Sequence, residues 1–128
     1  MTVYVKEGSE SVLSGLSKMK TAMIEDYNRF MPENPAMCEE YTNGISVEYG
    51  RKYIKIITSR HGGNVSVWGF IVGVDNDKRF KKGDLLNPAG YNAPARNAAR
   101  GNILDGGYAI NWTGPLYRNN LIEGWWSR

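Results

Sequence analysis

The chain has 128 residues, a mass of 14.4 kDa and a formal net charge of +3, with 41% hydrophobic and 23% charged residues. This is the size and balance of one globular domain over residues 1–128, and it excludes a fibrous or disordered chain. No run approaches the roughly 20 apolar residues of a membrane span, no signal-peptide pattern begins the chain, and a lone cysteine excludes an intrachain disulfide. We therefore expect a cytoplasmic protein with no membrane partner.

The charge is unevenly distributed along the chain. Residues 1–50 carry four Lys or Arg against eight acidic residues, residues 51–100 carry ten against three, and residues 101–128 carry two against two. The basic middle part predicts an anionic partner, either nucleic acid or a phosphorylated small molecule. A solvated basic face that balances the acidic first part is the alternative, and charge alone does not separate the two.

An amphipathic helix is predicted from Ser9 to Met31 because apolar residues recur there every three or four positions. These positions are Leu13, Leu16, Met19, Met23, Tyr27 and Phe30. Ser9 or Ser11 can cap the start of the helix, and Pro32 ends it. Such a narrow apolar stripe packs either on a sheet or on the same helix of a second chain.

A second, shorter helix is predicted for "PAMCEEY", where Asn34 and Pro35 supply the cap and the first residue and Asn43-Gly44 the end. After Gly44 the hydrophobic period changes to that of strands. The runs "ISVEY", "KYIKIIT" and "VSVWGFIV" are rich in β-branched and aromatic residues, and turn residues separate them. They predict a β-meander of three strands.

The last third of the chain is predicted to hold one short helix and one more strand. Pro94 and Gly101 flank "PARNAAR" as the first-turn proline and the C-terminal cap of a short helix. The alternating run "YAINWTG" follows a glycine turn and predicts a fourth strand. The predicted fold class is therefore α+β. Two helices in residues 1–43 pack on an antiparallel sheet of about four strands in residues 44–128, with a short helix inserted before the last strand.

No group of residues in the sequence indicates catalysis or a resident metal. His61 in "SRHGGN" is typical of a hairpin turn, although a role as general base stays open. Cys38 lies on an amphipathic stretch, as a small core residue does, and neither a nucleophile motif nor a ligand cluster accompanies it. No glycine-rich phosphate loop ending in Lys-Ser or Lys-Thr is present. We therefore expect a non-enzymatic protein without a metal or cofactor.

The segment "PARNAARGN" contains the main candidate for a binding site. On a helix, Arg96 and Arg100 lie one turn apart on the same side, so their two guanidinium forks can grip one phosphate or pyrophosphate. Polar, cationic and stacking contributions are expected from Asn97, Asn102, Lys81, Tyr91 and Trp112. The alternative is structural, with both arginines covering the neighbouring sheet and pairing with Asp84 or Asp105.

The stretch "FKKGDLLNPAGYNAPARNAARGNILDG", followed by "INWTGPLY", resembles a family of small tailed-phage proteins and, through it, the first type of Thoeris anti-defence protein, a phage nucleotide sponge. The resemblance covers Tyr49 to about Tyr117. It implies a non-enzymatic homo-oligomer, built from dimers, that binds glycocyclic ADP-ribose in pockets of arginines, an aromatic residue and an asparagine, with a further site for cyclic oligonucleotides. The residues that match this chemistry are Arg96, Arg100, Asn92 and an aromatic residue among Phe70, Tyr91 and Trp112.

The residues predict a protein that binds a small anionic nucleotide without cleaving it, and the resemblance implies that this nucleotide is a cyclic ADP-ribose isomer and that the protein sequesters it. The runner-up is a single-stranded nucleic-acid-binding phage protein, whose stacking platform would consist of Tyr53, Trp68, Phe70 and Trp112. A virion structural protein is a third possibility. A homodimer or dimer-built oligomer is expected because the helix stripe and the Trp125-Trp126 tail offer more apolar surface than one small sheet covers.

Overall fold

Two helices and eight strands make up the described part of the chain, in a computed structural model that describes residues 2–60 and 63–116. The helices are α1 (Val12–Phe30) and α2 (Pro35–Asn43). The strands are β1 (Val3–Val5), β2 (Ser46–Tyr49), β3 (Tyr53–Arg60), β4 (Asn64–Val72), β5 (Asp84–Leu86), β6 (Gly101–Asn102), β7 (Tyr108–Asn111) and β8 (Gly114–Pro115). The protein is an α+β protein, as the sequence predicts.

Both predicted N-terminal helices are present, with the predicted caps. The Ser11 hydroxyl accepts a hydrogen bond from the backbone N–H of Ser14 at 3.1 Å, and the Asn34 side chain does the same for Met37 at 3.1 Å. Each cap satisfies a backbone donor that the first helical turn leaves without a partner. Most of the apolar stripe of α1 is buried within this chain, but the residues at its two ends are exposed, Leu13 at 71% and Phe30 at 49%.

The strands form two antiparallel sheets. The larger sheet has the order β2-β3-β4-β5-β6, and its first three strands are the predicted meander. The predicted fourth strand, β7, lies in a separate three-stranded sheet of order β1-β7-β8, where Val3 pairs with Ile110. The short strands β1, β5, β6 and β8 are not predicted from the sequence, because two or three residues show no period.

The larger sheet is covered on both faces. Its face toward α1 and α2 contributes Ile54, Ile56, Trp68, Ile71 and Leu85 to the main core. The opposite face packs against the segment 73–100 in a smaller core of Phe70, Val72, Phe80 and Leu86. This second core is built under a long connection rather than under a helix, and it forms the floor of the candidate site described below.

The prediction of a short helix over residues 94–100 is wrong. Ala95 donates its backbone N–H to the carbonyl of Asn87 at 2.7 Å, and Arg100 donates to Leu85 at 2.7 Å. Pro94 forms an isolated bridge with Pro88. The segment therefore runs back along the chain that leaves β5, because these long-range partners take the place of the helical i to i−4 bonds. Seven residues are too few to hold a helix against such competition.

Some predictions fall on residues outside the described ranges. These are the turn residue His61 and the tail residues Trp125 and Trp126. Within the described ranges, neither helix has the length and apolar content that crossing a membrane requires.

The packing of α1 on the turn after β6 yields the first prediction. Alanine at position 15 would gain up to about 1 kcal/mol of helix propensity over glycine. Its Cβ, however, would lie 2.9 Å from the Ile103 carbonyl oxygen and 3.1 Å from the Ile103 side chain. Such overpacking costs about 1–3 kcal/mol. We expect Gly15→Ala to lower the free energy of unfolding by about 1 kcal/mol net, measured by urea denaturation.

The matched control is Ser17→Ala, an exposed position on the same helix, which should be neutral or slightly stabilising. A Gly15→Ala variant that is at least as stable as the unchanged protein would contradict the close approach of α1 to Ile103.

Candidate functional site

A shallow cleft of about 230 Å³ opens between the β2–β3 turn and the loop that follows β5. Its lining includes the aromatic side chains of Tyr49, Tyr53 and Phe70 and the cationic side chains of Arg51, Lys52 and Lys55. Rings and cations thus line one depression, an arrangement suited to a ligand with both a planar ring and a negative charge.

The hairpin of β2 and β3 places these side chains by the two-residue period of a strand. Tyr53 and Lys55 occupy alternate positions of β3 and share one face. Phe70 of the neighbouring strand β4 pairs with Lys55. The turn is closed by a hydrogen bond of 2.9 Å from the Gly50 N–H to the Tyr53 carbonyl. The cleft wall is therefore part of a hydrogen-bonded sheet rather than a free loop.

Lys55 connects the sheet to the loop on the other side of the cleft. Its side chain is only 14% exposed, and its ammonium donates to Asn92 Oδ1 at 3.1 Å. The same ammonium lies 4.2 Å from the centre of the Tyr91 ring, a cation–π contact, and 3.9 Å from the carboxylate of Glu48. Lys55 thereby holds both loop residues over the edge of the cleft.

Behind the cleft lies the carboxylate of Asp77, whose side chain is fully buried. It accepts two hydrogen bonds from the Arg96 guanidinium, at 3.0 and 3.1 Å. Lys52 Nζ lies 2.9 Å away, and the backbone N–H groups of Arg79 and Phe80 donate at 2.7 and 2.9 Å. Five donors therefore converge on one carboxylate, and they join the β2–β3 turn, the loop after β4 and the segment after Pro94.

This convergence shifts the protonation equilibria of the pair. The Arg96 guanidinium, then Lys52 and the two backbone N–H groups, hold the pKa of Asp77 far below its ordinary value of 3.8. In return, Asp77 raises the pKa of Arg96 above its ordinary value. Arg96 also donates to the hydroxyl of Tyr53 and lies 4.9 Å from the centre of the Phe80 ring. Both groups are therefore charged at any physiological pH.

Four of the nine predicted ligand-binding residues lie in or beside the cleft. Phe70 and Asn92 line it directly. Tyr91 lies beside it, about half exposed. Arg96 lies behind it and reaches it through its hydrogen bond to Tyr53.

The expected pair of arginines does not form one anion grip. The Arg96 side chain is 38% exposed and bound to Asp77, whereas Arg100 is buried at 2% exposure. The difference follows from the absence of the helix, since the two residues no longer lie one turn apart on a common face. The partner of Arg96 is Asp77 and not one of the two expected acids, Asp84 and Asp105. Asp105 pairs instead with Lys81 at 2.6 Å.

Asn97, Asn102 and Trp112 make contacts that stabilise the fold. The Asn102 side chain is buried, donates to Asp84 Oδ1 at 2.9 Å and accepts from two backbone N–H groups in the following turn. The Asn97 carbonyl accepts from Arg79. The Trp112 ring lies 5.1 Å from Tyr27 in the aromatic cluster beside α1. Trp68 and Phe70 are both buried and belong to different cores, so the four aromatic residues of the expected nucleic-acid platform do not share a surface.

Sequence reasoning missed the cations of the β2–β3 turn and Asp77. The spacing of Tyr53 and Lys55 carried a usable signal, because alternate strand residues share a face. For Asp77 the sequence held a partial signal, because an aspartate two or three residues before its backbone donors is typical of an Asx turn. Its pairing with Arg96 spans nineteen positions and has no local signal.

No group of three or more His, Cys, Asp or Glu side chains lies close enough together in the described part of the chain to hold a metal ion. What the cleft does offer is an aromatic wall, an amide and several cations.

The second prediction concerns the pH dependence that follows from the lowered pKa of Asp77. A carboxyl whose pKa is lower in the folded state stabilises the fold above its unfolded pKa, and this contribution is lost as the pH falls below that value. We expect Asp77→Asn to lower the free energy of unfolding by a constant amount between about pH 5 and pH 8. The difference from the unchanged protein should shrink once the pH falls below 3.8.

Urea denaturation at a series of pH values measures this difference directly. The exposed carboxylate of Asp75, two positions earlier, supplies the control variant Asp75→Asn, which should change stability little. A difference between Asp77→Asn and the unchanged protein that persists undiminished in acid would show that the carboxylate charge does not stabilise the fold.

Comparison with known proteins places the chain in a family without assigning an activity. No curated protein and no solved structure is significantly similar to it. Residues 4–117 match the model of a family described as a family of unknown function, DUF7717. The match includes both helices, all the strands after β1 and most of β1 itself. The protein therefore belongs to the DUF7717 family.

Proposed function

We propose that the protein binds a small anionic nucleotide, a cyclic ADP-ribose isomer, in the cleft beside the β2–β3 turn and holds it without cleaving it. The observation that carries the proposal is the lining of this cleft, where the rings of Tyr49 and Tyr53 adjoin the cations of Arg51, Lys52 and Lys55. Rings can stack on a nucleobase while cations neutralise phosphates, and nucleotides present both groups.

The aromatic contribution comes from the mouth of the cleft. Tyr49 is 63% exposed although it is a large ring, and Tyr91 on the opposite side is about half exposed. Stacking of a base on one such ring contributes about 1–3 kcal/mol in proteins that bind single strands. An adenine base between these two sides would remove apolar ring surface from water.

The electrostatic contribution comes from an excess of cations. Arg51, Lys52 and Lys55 line the cleft together with Glu48, and the Arg96–Asp77 pair lies behind it, which leaves a net charge of +2. Asp77 neutralises part of the charge on Lys52 and Arg96. Glu48 lies farther from Lys55, at 3.9 Å, and is 61% exposed, so it neutralises that ammonium less. Arg51 and Lys55 are therefore the cations best placed to meet a phosphate or pyrophosphate.

The size of the cleft favours a ligand shared between two copies of the chain. A volume of about 230 Å³ is smaller than the roughly 300–1,000 Å³ of ordinary ligand pockets. Beside the cleft, β2 is the edge strand of the larger sheet, and all four of its residues are exposed. An exposed strand edge pairs readily with another strand. We propose a homodimer, or an oligomer built from dimers, that uses this edge.

Sequestration requires tight binding and no turnover. A sponge of this kind would act in the cytoplasm of an infected bacterium, where it would lower the concentration of a nucleotide immune signal. This role agrees with the resemblance of residues 49–117 to anti-defence proteins of phages.

The third prediction tests ligand binding. Lys55→Met keeps the length of the side chain but removes the charge, so a charge-assisted bond of about 1.5–3 kcal/mol is lost. We expect the affinity for cyclic ADP-ribose isomers to fall by about one to two orders of magnitude in calorimetry. Lys78→Ala, an exposed cation on the loop after β4, should bind like the unchanged protein.

The fate of the ligand distinguishes a sponge from an enzyme. After binding, heat denaturation of the protein should release the nucleotide intact, as chromatography of the supernatant would show. Cleaved products would overturn the proposal in favour of an enzyme. Tight binding of single-stranded DNA or RNA in a gel shift at about 150 mM salt would favour the runner-up, because many phosphate contacts make such binding strongly salt-dependent.

The fourth prediction tests the proposed dimer. Light scattering at micromolar concentration should give at least twice the chain mass of 14.4 kDa. Val47→Lys places a charge on the exposed edge strand and should shift the mass to that of one chain. Leu13→Lys, at an apolar position on α1 that is more exposed (71% against 36% for Val47), is the control and should leave the dimer intact. A monomeric unchanged protein would contradict the dimer.

A further inference from the structure

We infer that the Tyr53 hydroxyl is a hydrogen-bond donor directed at the ligand, and that Arg96 and Asp77 are positioning residues that act through it. This inference rests on the proposed function, because it assigns a role within the same cleft. It also replaces the direct arginine grip that the sequence suggests by an indirect one.

The direction of the hydrogen bond at Tyr53 is fixed by chemistry. Arg96 Nη1 donates to the Tyr53 oxygen, since a guanidinium has no acceptor. A phenol has one hydrogen to donate, and in the described part of the chain no acceptor takes it. Tyr53 lines the cleft, so this O–H is available to a ligand oxygen that enters there.

The same geometry keeps Arg96 away from the ligand. Both terminal nitrogens of its guanidinium donate to Asp77, and the plane lies near the Phe80 ring at 4.9 Å. Arg96 is also not among the residues that line the cleft. The guanidinium therefore supports the wall from behind, and Tyr53 is the group that presents its polarity to the cleft.

Asp77 makes this support rigid. Its carboxylate is fully buried and bound by the backbone N–H groups of Arg79 and Phe80, so it cannot turn away when a ligand arrives. A phenol that accepts a hydrogen bond from a cation is polarised and becomes a stronger donor. The chain from Asp77 through Arg96 to Tyr53 thus prepares one oriented donor before binding.

The chemical class that fits is a phosphate or pyrophosphate oxygen next to a ring. The donor lies on the same face of β3 as Lys55, so a ligand oxygen between them would meet one neutral and one cationic donor. The ring of Tyr53 is held by an edge contact with Phe70 at 6.1 Å, which fixes the position of the hydroxyl.

The experiment is a double-mutant cycle on Tyr53 and Arg96, with calorimetry on three probes: cyclic ADP-ribose, ADP-ribose and inorganic pyrophosphate. Tyr53→Phe removes the hydroxyl and keeps the ring. It should weaken binding about 3- to 10-fold with little change in melting temperature. Arg96→Met should weaken binding by a similar factor in the unchanged protein and by less than twofold in the Tyr53→Phe background. Arg96→Lys should recover part of the loss, because an ammonium can still donate to the phenol.

Several results would overturn the inference. If the Tyr53→Phe variant binds all three probes with unchanged affinity, the Tyr53 hydroxyl is not a donor to the ligand. An Arg96→Met effect of equal size in both backgrounds shows that Arg96 acts independently of the Tyr53 hydroxyl. Pyrophosphate binding that depends on Tyr53, without nucleotide binding, overturns the proposed function and leaves this inference standing. Absence of binding to all three probes overturns both.

Discussion

A carboxylate removed from water must be given donors, and Asp77 shows how much structure that requirement can organise. Burial of an unpaired charge is so costly that a carboxyl must either be surrounded by donors or become protonated. Asp77 is surrounded by donors from three separate segments of the chain, which contain Lys52, Phe80 and Arg96. Those segments have no helix or long strand of their own at these positions, and the carboxylate supplies the fixed point on which they meet.

This arrangement explains why one face of the larger sheet can be covered by a connection. The segment 73–100 has only three strand residues, Asp84–Leu86, yet it seals the core around Phe70 and Val72. Backbone hydrogen bonds within the segment, such as those from Ala95 to Asn87 and from Arg100 to Leu85, hold it in place together with the ion pairs at Asp77. Loops normally make few contacts with one another. Here a polar centre at Asp77 and an apolar core around Phe70 fix the same segment from two sides.

Much of the fold could be predicted from the sequence, and the reason is physical. Repeated apolar positions in α1 and β-branched runs in β3 and β4 depend on local periods that a sequence displays openly. The segment after Pro94 could not be predicted in the same way, because its backbone bonds go to Asn87 and Leu85 rather than to its own turn. Arg96 was identified as important, but its partner lies nineteen positions away. The candidate site therefore depends on long-range contacts that no local pattern shows, whereas the helices follow from local periods.

The irregular register of β3 and β4 has a consequence for energetics. Trp68 and Phe70 are two positions apart and would normally share a face, but the shift between Ile56 and Ile57 places Trp68 in the core beside the helices and Phe70 in the core beneath the cleft. One short length of strand therefore belongs to both hydrophobic layers. We therefore expect the cleft to unfold together with the helices, so that a ligand held there would depend on the stability of the helices as well. Its binding free energy would appear as added stability of both layers at once.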